Sequence, residues 1–187
     1  TQADYRRLIE RVRRICPDST INTDIIVGFP GETEAEFQDT YTLLADLELD
    51  KVHLAKYSVR PKTIAARKME DDVSEAEKER RRILIDDLCE GILARKNQRW
   101  MEQTVEVLVE SRHKGKWRGR TPHNRLVFFD HEEELTGALV DVRIHQTSPY
   151  SMQGELQEIK VGPLARKPDL TLVPMFHRPL QVAAKEA

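Results

Sequence analysis

Hydrophobic positions keep changing their period along this chain, and each change marks an element. Tyr5, Leu8, Ile9, Val12 and Ile15 recur at helical spacing with arginines opposite, Thr1 and Asp4 supply a start signal, and Pro17 ends the pattern. The next apolar run, residues 21–27, is continuous and β-branched, which predicts a strand buried on both faces as in a parallel sheet. It breaks at Gly28-Phe29-Pro30-Gly31. Thr33 with Glu36 then has capping-box form and opens a helix to about residue 47, with Phe37, Tyr41, Leu44 and Leu47 on one face. Residues 51–57 alternate as a second strand, and Ser58 to Thr63 form the loop that leaves it. Ser74 with Glu77 opens a highly charged helix to about residue 100, whose Ile83, Leu84, Leu88, Ile92 and Trp100 predict a packing face, its Lys, Arg and Glu facing solvent. Helix, strand, helix, strand is a parallel α/β arrangement with crossover helices, and two strands alone make neither a barrel nor an independent sheet. This half therefore reads as cut from a larger barrel or open sheet.

From Gln103 the period becomes two. Val105, Val107 and Val109 alternate with polar or exposed positions, and further strands are predicted at 114–120, 126–129, 139–145 and 153–159. Five short strands with turn signals between them predict a small closed, five-stranded OB-like barrel. After Val161 come Pro163, Pro168, Pro174 and Pro179, which predict an extended or disordered tail. The expected division is an α/β part with its connector helix at 1–100, a β module at 101–160 and a tail at 161–187.

Composition narrows the classes. A net charge of −2 over 187 residues hides local polarity, so its distribution matters more than its sum. No apolar run approaches the roughly 18 residues that suggest a membrane span, and Cys16 and Cys89 lack the spacing of a disulfide framework or cysteine metal site. These features predict a soluble, cytoplasmic protein without a membrane partner. Because the chain begins with Thr1 rather than methionine and its first residues already look like the inside of a helix, it is expected to be a piece of something longer.

Two stretches carry candidate chemistry. The strand, glycine turn and helix at 23–33 form the kind of junction at which α/β enzymes bind ligands, or an ordinary tight turn between packed elements. On the same rim, Arg60 is placed either to clamp a carboxylate or phosphate with its planar fork or to stand solvated beside Pro61. In the β half, no acidic residue stands between Ser111 and Arg125, while Lys114, Lys116, Arg118 and Arg120 sit two apart and would share one face of a strand. Such a row suits a phosphate backbone or is a solvated edge strand, with Trp117 turned to the core; Asn124, Phe128 and Phe129 are placed either to approach bases or, for the two phenylalanines, to fill the core of the barrel. The histidines show no ligand spacing, and no Walker loop, dinucleotide fingerprint or nucleophile elbow is present.

Three segments in order, Thr23-Asp24-Ile25-Ile26-Val27-Gly28-Phe29-Pro30-Gly31-Glu32-Thr33, then Tyr57-Ser58-Val59-Arg60-Pro61-Lys62-Thr63-Ile64-Ala65-Ala66, then Gly119-Arg120-Thr121-Pro122-His123-Asn124-Arg125, resemble the radical-SAM methylthiotransferases. The resemblance runs over roughly residues 3–160 and is strongest to enzymes that methylthiolate isopentenylated adenosine beside the tRNA anticodon. It implies the last part of a radical-SAM TIM-like barrel followed by a TRAM domain. It also implies a full-length parent using S-adenosylmethionine and two 4Fe–4S clusters, with the anticodon stem-loop of tRNA and the N-terminal part of the same protein as partners. On residues, it implies Val27, Gly28, Tyr57, Ser58 and Arg60 at the cofactor rim and Lys114, Lys116, Arg118, Arg120, Asn124 and Arg125 on RNA. The family's cluster cysteines lie upstream of the matched part, so this chain alone is expected to hold no metal and to be inactive. Lys62 stands where the family usually has glycine, Gln103 likewise, and Arg60-Pro61 has the form of the tRNA-modifying branch. A non-catalytic RNA-binding protein with an OB-like module is the alternative.

Overall fold

The computed structural model describes residues 1–163. The first half runs α1 (Gln2–Ile15), β1 (Asn22–Val27), α2 (Glu34–Leu47), β2 (Lys51–Lys56), a short α3 (Ile64–Lys68) and a long α4 (Glu75–Gln98). Local chemistry starts the longer helices as expected. Thr1, Thr33 and Ser74 each accept a hydrogen bond from the backbone N–H three residues on, and Asp4 and Glu36 complete reciprocal boxes.

Strands β1 and β2 pair in parallel, Asn22 opposite Lys51 through Val27 opposite Lys56, with α2 as the crossover. Ile9, Val27, Phe37, Leu44, Leu47, Leu49 and Ile85 form the core beneath one face of this sheet. The other face is uncovered: Ile26 is 53% exposed, so the expectation of burial on both faces fails among the described residues. The reason is geometric. The helices that contribute to the core share one side of a two-stranded sheet, and the period-two alternation then turns Asp24 and Ile26 outward.

Helix α4 keeps part of its predicted face, with Ile92 buried, Leu88 partly buried against the core and Trp100 packed on the barrel. Ile83 and Leu84 are exposed, whereas Lys78, Arg81, Ile85, Ile92, Leu93 and Asn97 are buried. That stripe has proper helical spacing, but two of its members are cations, held by Asp71 and Glu32 from outside the helix together with Glu75 and Glu77 of its own first turn. The expectation that the charged residues of α4 merely face solvent is corrected accordingly.

The second half is a closed barrel of β3 (Thr104–His113), β4 (Lys116–Arg120), β5 (Leu126–Phe129), β6 (Leu139–Thr147) and β7 (Met152–Val161), in the spatial order β3-β4-β5-β7-β6. All pairings are antiparallel except β5 with β7. Trp117, Phe129, Val107, Val140, Ile144 and Met152 are among the side chains filling its interior. The five-stranded barrel thus forms as predicted, but β7 takes in Val161, the expected first residue of the tail; the expected tail from residue 164 lies outside the described residues.

The halves are joined through the end of α4. The Asn97 side-chain amide donates to the carbonyls of Ser148 (2.7 Å) and Pro149 (2.9 Å), and Trp100 packs against the barrel core. A second contact lies across the cleft. Asp50 Oδ1 accepts from Lys96 Nζ at 2.6 Å and from Arg125 Nη2 of the barrel at 2.8 Å, while its other oxygen accepts from the Ile21 N–H at 3.0 Å. Although burial opposes ionisation of Asp50, these hydrogen bonds and cations outweigh it and hold its carboxyl below the ordinary range.

Candidate functional site

Val27 ends β1 with its side chain fully buried in the helix-facing core, and Gly28 follows at φ +69°. A Cβ at Gly28 would overlap the side chain of Lys78, so this position needs glycine both for its backbone and for the close approach. The Gly28 N–H donates to Glu32 Oε2 at 2.6 Å, and the same oxygen accepts from Arg81 Nη1 at 2.7 Å. Arg81, 4% exposed, also donates to the Glu32 carbonyl and to Glu77. Lys78, 1% exposed, lays its alkyl chain on Gly28 and pairs its ammonium with Asp71 at 2.7 Å and Glu75 at 3.2 Å. Burial opposes its charge, but those two hydrogen bonds outweigh it and raise its pKa. The glycine turn is therefore clamped from behind by α4.

In front of the turn, the Tyr57 N–H donates to the Val27 carbonyl at 2.8 Å, and the Tyr57 ring meets Phe29 edge to face at 5.1 Å. A cavity of about 170 Å³ opens there, lined by Ile26, Phe29, Tyr57, Ser58, Arg60, Thr63 and Ala65. Of the five predicted rim residues, Tyr57, Ser58 and Arg60 share this cavity. Val27 and Gly28 do not line it; they shape the strand end behind it. Arg60 has no ion pair among the described residues, and the loop beyond it turns on Pro61 and Lys62, with the Thr63 N–H donating to the Arg60 carbonyl at 3.3 Å. Lys62 takes φ +73°, a left-handed turn position where glycine is usual. The arrangement offers two rings and an aliphatic wall for an apolar or planar group, with a hydroxyl and a free guanidinium for its polar end. Sequence reasoning missed Phe29 and Ile26 as lining residues and Lys78 and Arg81 as their support.

On the barrel, β4 turns Trp117 and Gly119 inward and Lys116, Arg118 and Arg120 outward. Lys114 is not in that row. It occupies, at φ +51°, a two-residue turn with Gly115 (φ +88°) between His113 and Lys116, where both positions need left-handed backbone. Nor is the row free of carboxylates, although none lies between residues 111 and 125. Lys116 donates to Gln153 Oε1 at 2.9 Å and stands 3.3 Å from Asp130; Arg120 lies 3.2 Å from Glu110 and donates to Asn124 Oδ1 at 2.9 Å. Arg118 has only a 3.9 Å ion pair with Glu110, and its Nε has no hydrogen-bond partner. Asn124 takes φ +57° in the turn after β4. Arg125 points away from the row toward Asp50, with 11% of its side chain exposed, so the structure gives it a place between the halves.

Among the described residues no group of three His, Cys, Asp or Glu is placed to hold a metal ion, and no helix is long and apolar enough to cross a membrane. Cys16 is exposed after α1, and burial pushes the Cys89 thiol on α4 up to about 11. The TRAM domain family matches residues 101–157, which span all of the first four barrel strands and most of β7. Curated relatives share one description, tRNA-2-methylthio-N(6)-dimethylallyladenosine synthase. The one from Chloroflexus aurantiacus is 53% identical over 157 residues, 82% of this chain and 34% of the relative. That of Dehalococcoides mccartyi is 46% identical over 159 residues, 85% of this chain and 38% of the relative. That of Thermosipho africanus is 39% identical over 160 residues, 85% of this chain and 37% of the relative. The chain spans about a third of the length of these relatives.

Proposed function

From the premise that this chain carries a TRAM domain and is related to tRNA-2-methylthio-N(6)-dimethylallyladenosine synthases, we propose that it is part of a radical-SAM enzyme that methylthiolates isopentenylated adenosine beside the tRNA anticodon, in the cytoplasm. In this reading residues 1–100 are the closing segment of the catalytic barrel, and the uncovered face and edges of β1 and β2 meet the N-terminal remainder of the same protein. The β-barrel grips the anticodon stem-loop.

The fit of S-adenosylmethionine to the rim can be judged from the cavity. At about 170 Å³ it is smaller than a site that encloses a drug-sized ligand, but its Phe29–Tyr57 wall and its polar Ser58 and Arg60 suit one side of an adenosyl group. Tyr57, Ser58 and Arg60 would hold that side, with Gly28 and Val27 setting the strand end behind them. When bound, S-adenosylmethionine and the clusters supply the radical and the methylthio group. The described residues offer the clusters no ligand set, so the cluster ligands are assigned to the rest of the protein.

The observation that carries the RNA half of the proposal is the outward row Lys116, Arg118 and Arg120 on a TRAM barrel. Binding of tRNA by this chain, titrated against salt, tests it. Lys116→Ala with Arg118→Ala should weaken binding and lower the slope of log affinity against log salt by roughly 1.4 to 1.8, about 0.7 to 0.9 for each lost phosphate contact. Unchanged affinity and slope would remove the row from the interface. For the catalytic half, an iron-free preparation of the full-length protein from anaerobic expression would overturn the proposal.

A further inference from the structure

The outward face that carries the cations also carries one aromatic ring. Phe128 is the cross-strand partner of Arg118 on one side and of Gln153 on the other, so it shares the face of Lys116 and Arg118. Its neighbour Phe129 pairs with Trp117 and is fully buried. Phe128 is instead half-buried, and the barrel interior is filled without it. His113, opposite Lys116 at the end of β3, brings its ring to 6.1 Å from that of Phe128, tilted by 43°. Two rings thus lie together in the middle of a cationic strip.

The chemistry of that pairing is specific. Cations alone suffice for a duplex, whose base faces are hidden in the stack. A ring among cations adds affinity only where a base is unpaired and its π face is available, because every nucleobase has such a face whatever its sequence. Arg118 stands directly across from Phe128 with 38% of its side chain exposed, so a guanidinium and a stacking surface stand side by side.

We propose that Phe128, supported by His113, stacks an unpaired base of the RNA whose backbone Lys116 and Arg118 hold. This rests on the RNA-binding reading above, and the two can fail separately. The experiment compares a short single-stranded oligo(A) with a blunt RNA duplex of equal length, each titrated against salt with the full chain. Phe128→Leu should weaken oligo(A) binding about tenfold at every salt concentration while leaving the salt slope and duplex affinity at wild-type values. Phe128→Tyr, which keeps the ring, should bind as wild type. Should Phe128→Leu bind oligo(A) normally while Lys116→Ala with Arg118→Ala binds weakly, the stacking ledge is overturned and the cationic face stands. Equal losses on duplex and single strand from Phe128→Leu would make the effect structural and overturn the ledge as well. If neither variant alters binding, both proposals fall.

Discussion

Gly28 and Lys62 both stand in left-handed backbone at strand-end turns, and they meet that demand in opposite ways. At Gly28 the backbone and the packed Lys78 side chain both exclude a Cβ. Gly28→Ala should therefore cost at least about 2 kcal/mol, the left-handed strain plus displacement of Lys78, read from chemical denaturation. At Lys62 the strain is already present in an exposed turn. Lys62→Gly should raise stability by about 0.5 kcal/mol, since relief of roughly 1 to 2 kcal/mol exceeds the extra chain entropy of glycine. Shifts of the same sign at both positions would contradict this account.

Helix α4 combines its buried apolar stripe with a lattice of charges near its start. Glu77 accepts from Arg80 and Arg81, and Glu79 from Arg82 while pairing with Lys56; these bonds lower each carboxyl from 4.5 to about 2. A depressed carboxyl stabilises the fold fully above its unfolded pKa and loses that contribution as pH falls through the folded value. Helicity of α4, followed by circular dichroism, should therefore decline between pH 4.5 and about 2, and Glu77→Gln should flatten that decline. A titration unaltered in Glu77→Gln would sink the assignment. This element also shows where sequence reasoning stops. The capping signals at Thr33 and Ser74 are local, and so were legible; the barrel strands were legible from their period of two. The buried face of α4 was not, because Lys78 and Arg81 read as polar until Asp71 and Glu32 are brought beside them by the fold. The row on β4 was read one residue pair too long because Lys114-Gly115 is itself a turn, a signal present in the sequence and passed over. The cavity before Tyr57 depended on Phe29 folding back over the next strand end, and no periodicity encodes that.

At the scale of the whole molecule, the halves meet at the end of α4, at Asp50, and where the Thr20 hydroxyl donates to the His123 carbonyl at 3.0 Å. Asn97 and Trp100 hang the barrel from α4, and the ion pair of Arg125 with Asp50, 75 residues apart, braces it against the α/β half. No local pattern announces such a pair, and for the same reason Arg125 read as one more cation of the RNA row. Its consequence is thermal. If either half melts alone, the Arg125–Asp50 hydrogen bond is lost together with the contacts of Asn97 and Trp100, so neither half keeps its full stability, although Asp50 retains Lys96. The two halves should then melt in a single calorimetric peak whose van't Hoff enthalpy matches the measured heat. In Arg125→Met that peak should broaden or divide into two, and a sharp single peak in the variant would show that the brace does not couple them. On the RNA-binding reading proposed above, a protein coupled in this way would denature all at once, so heat-damaged molecules would not persist with an intact barrel still holding RNA.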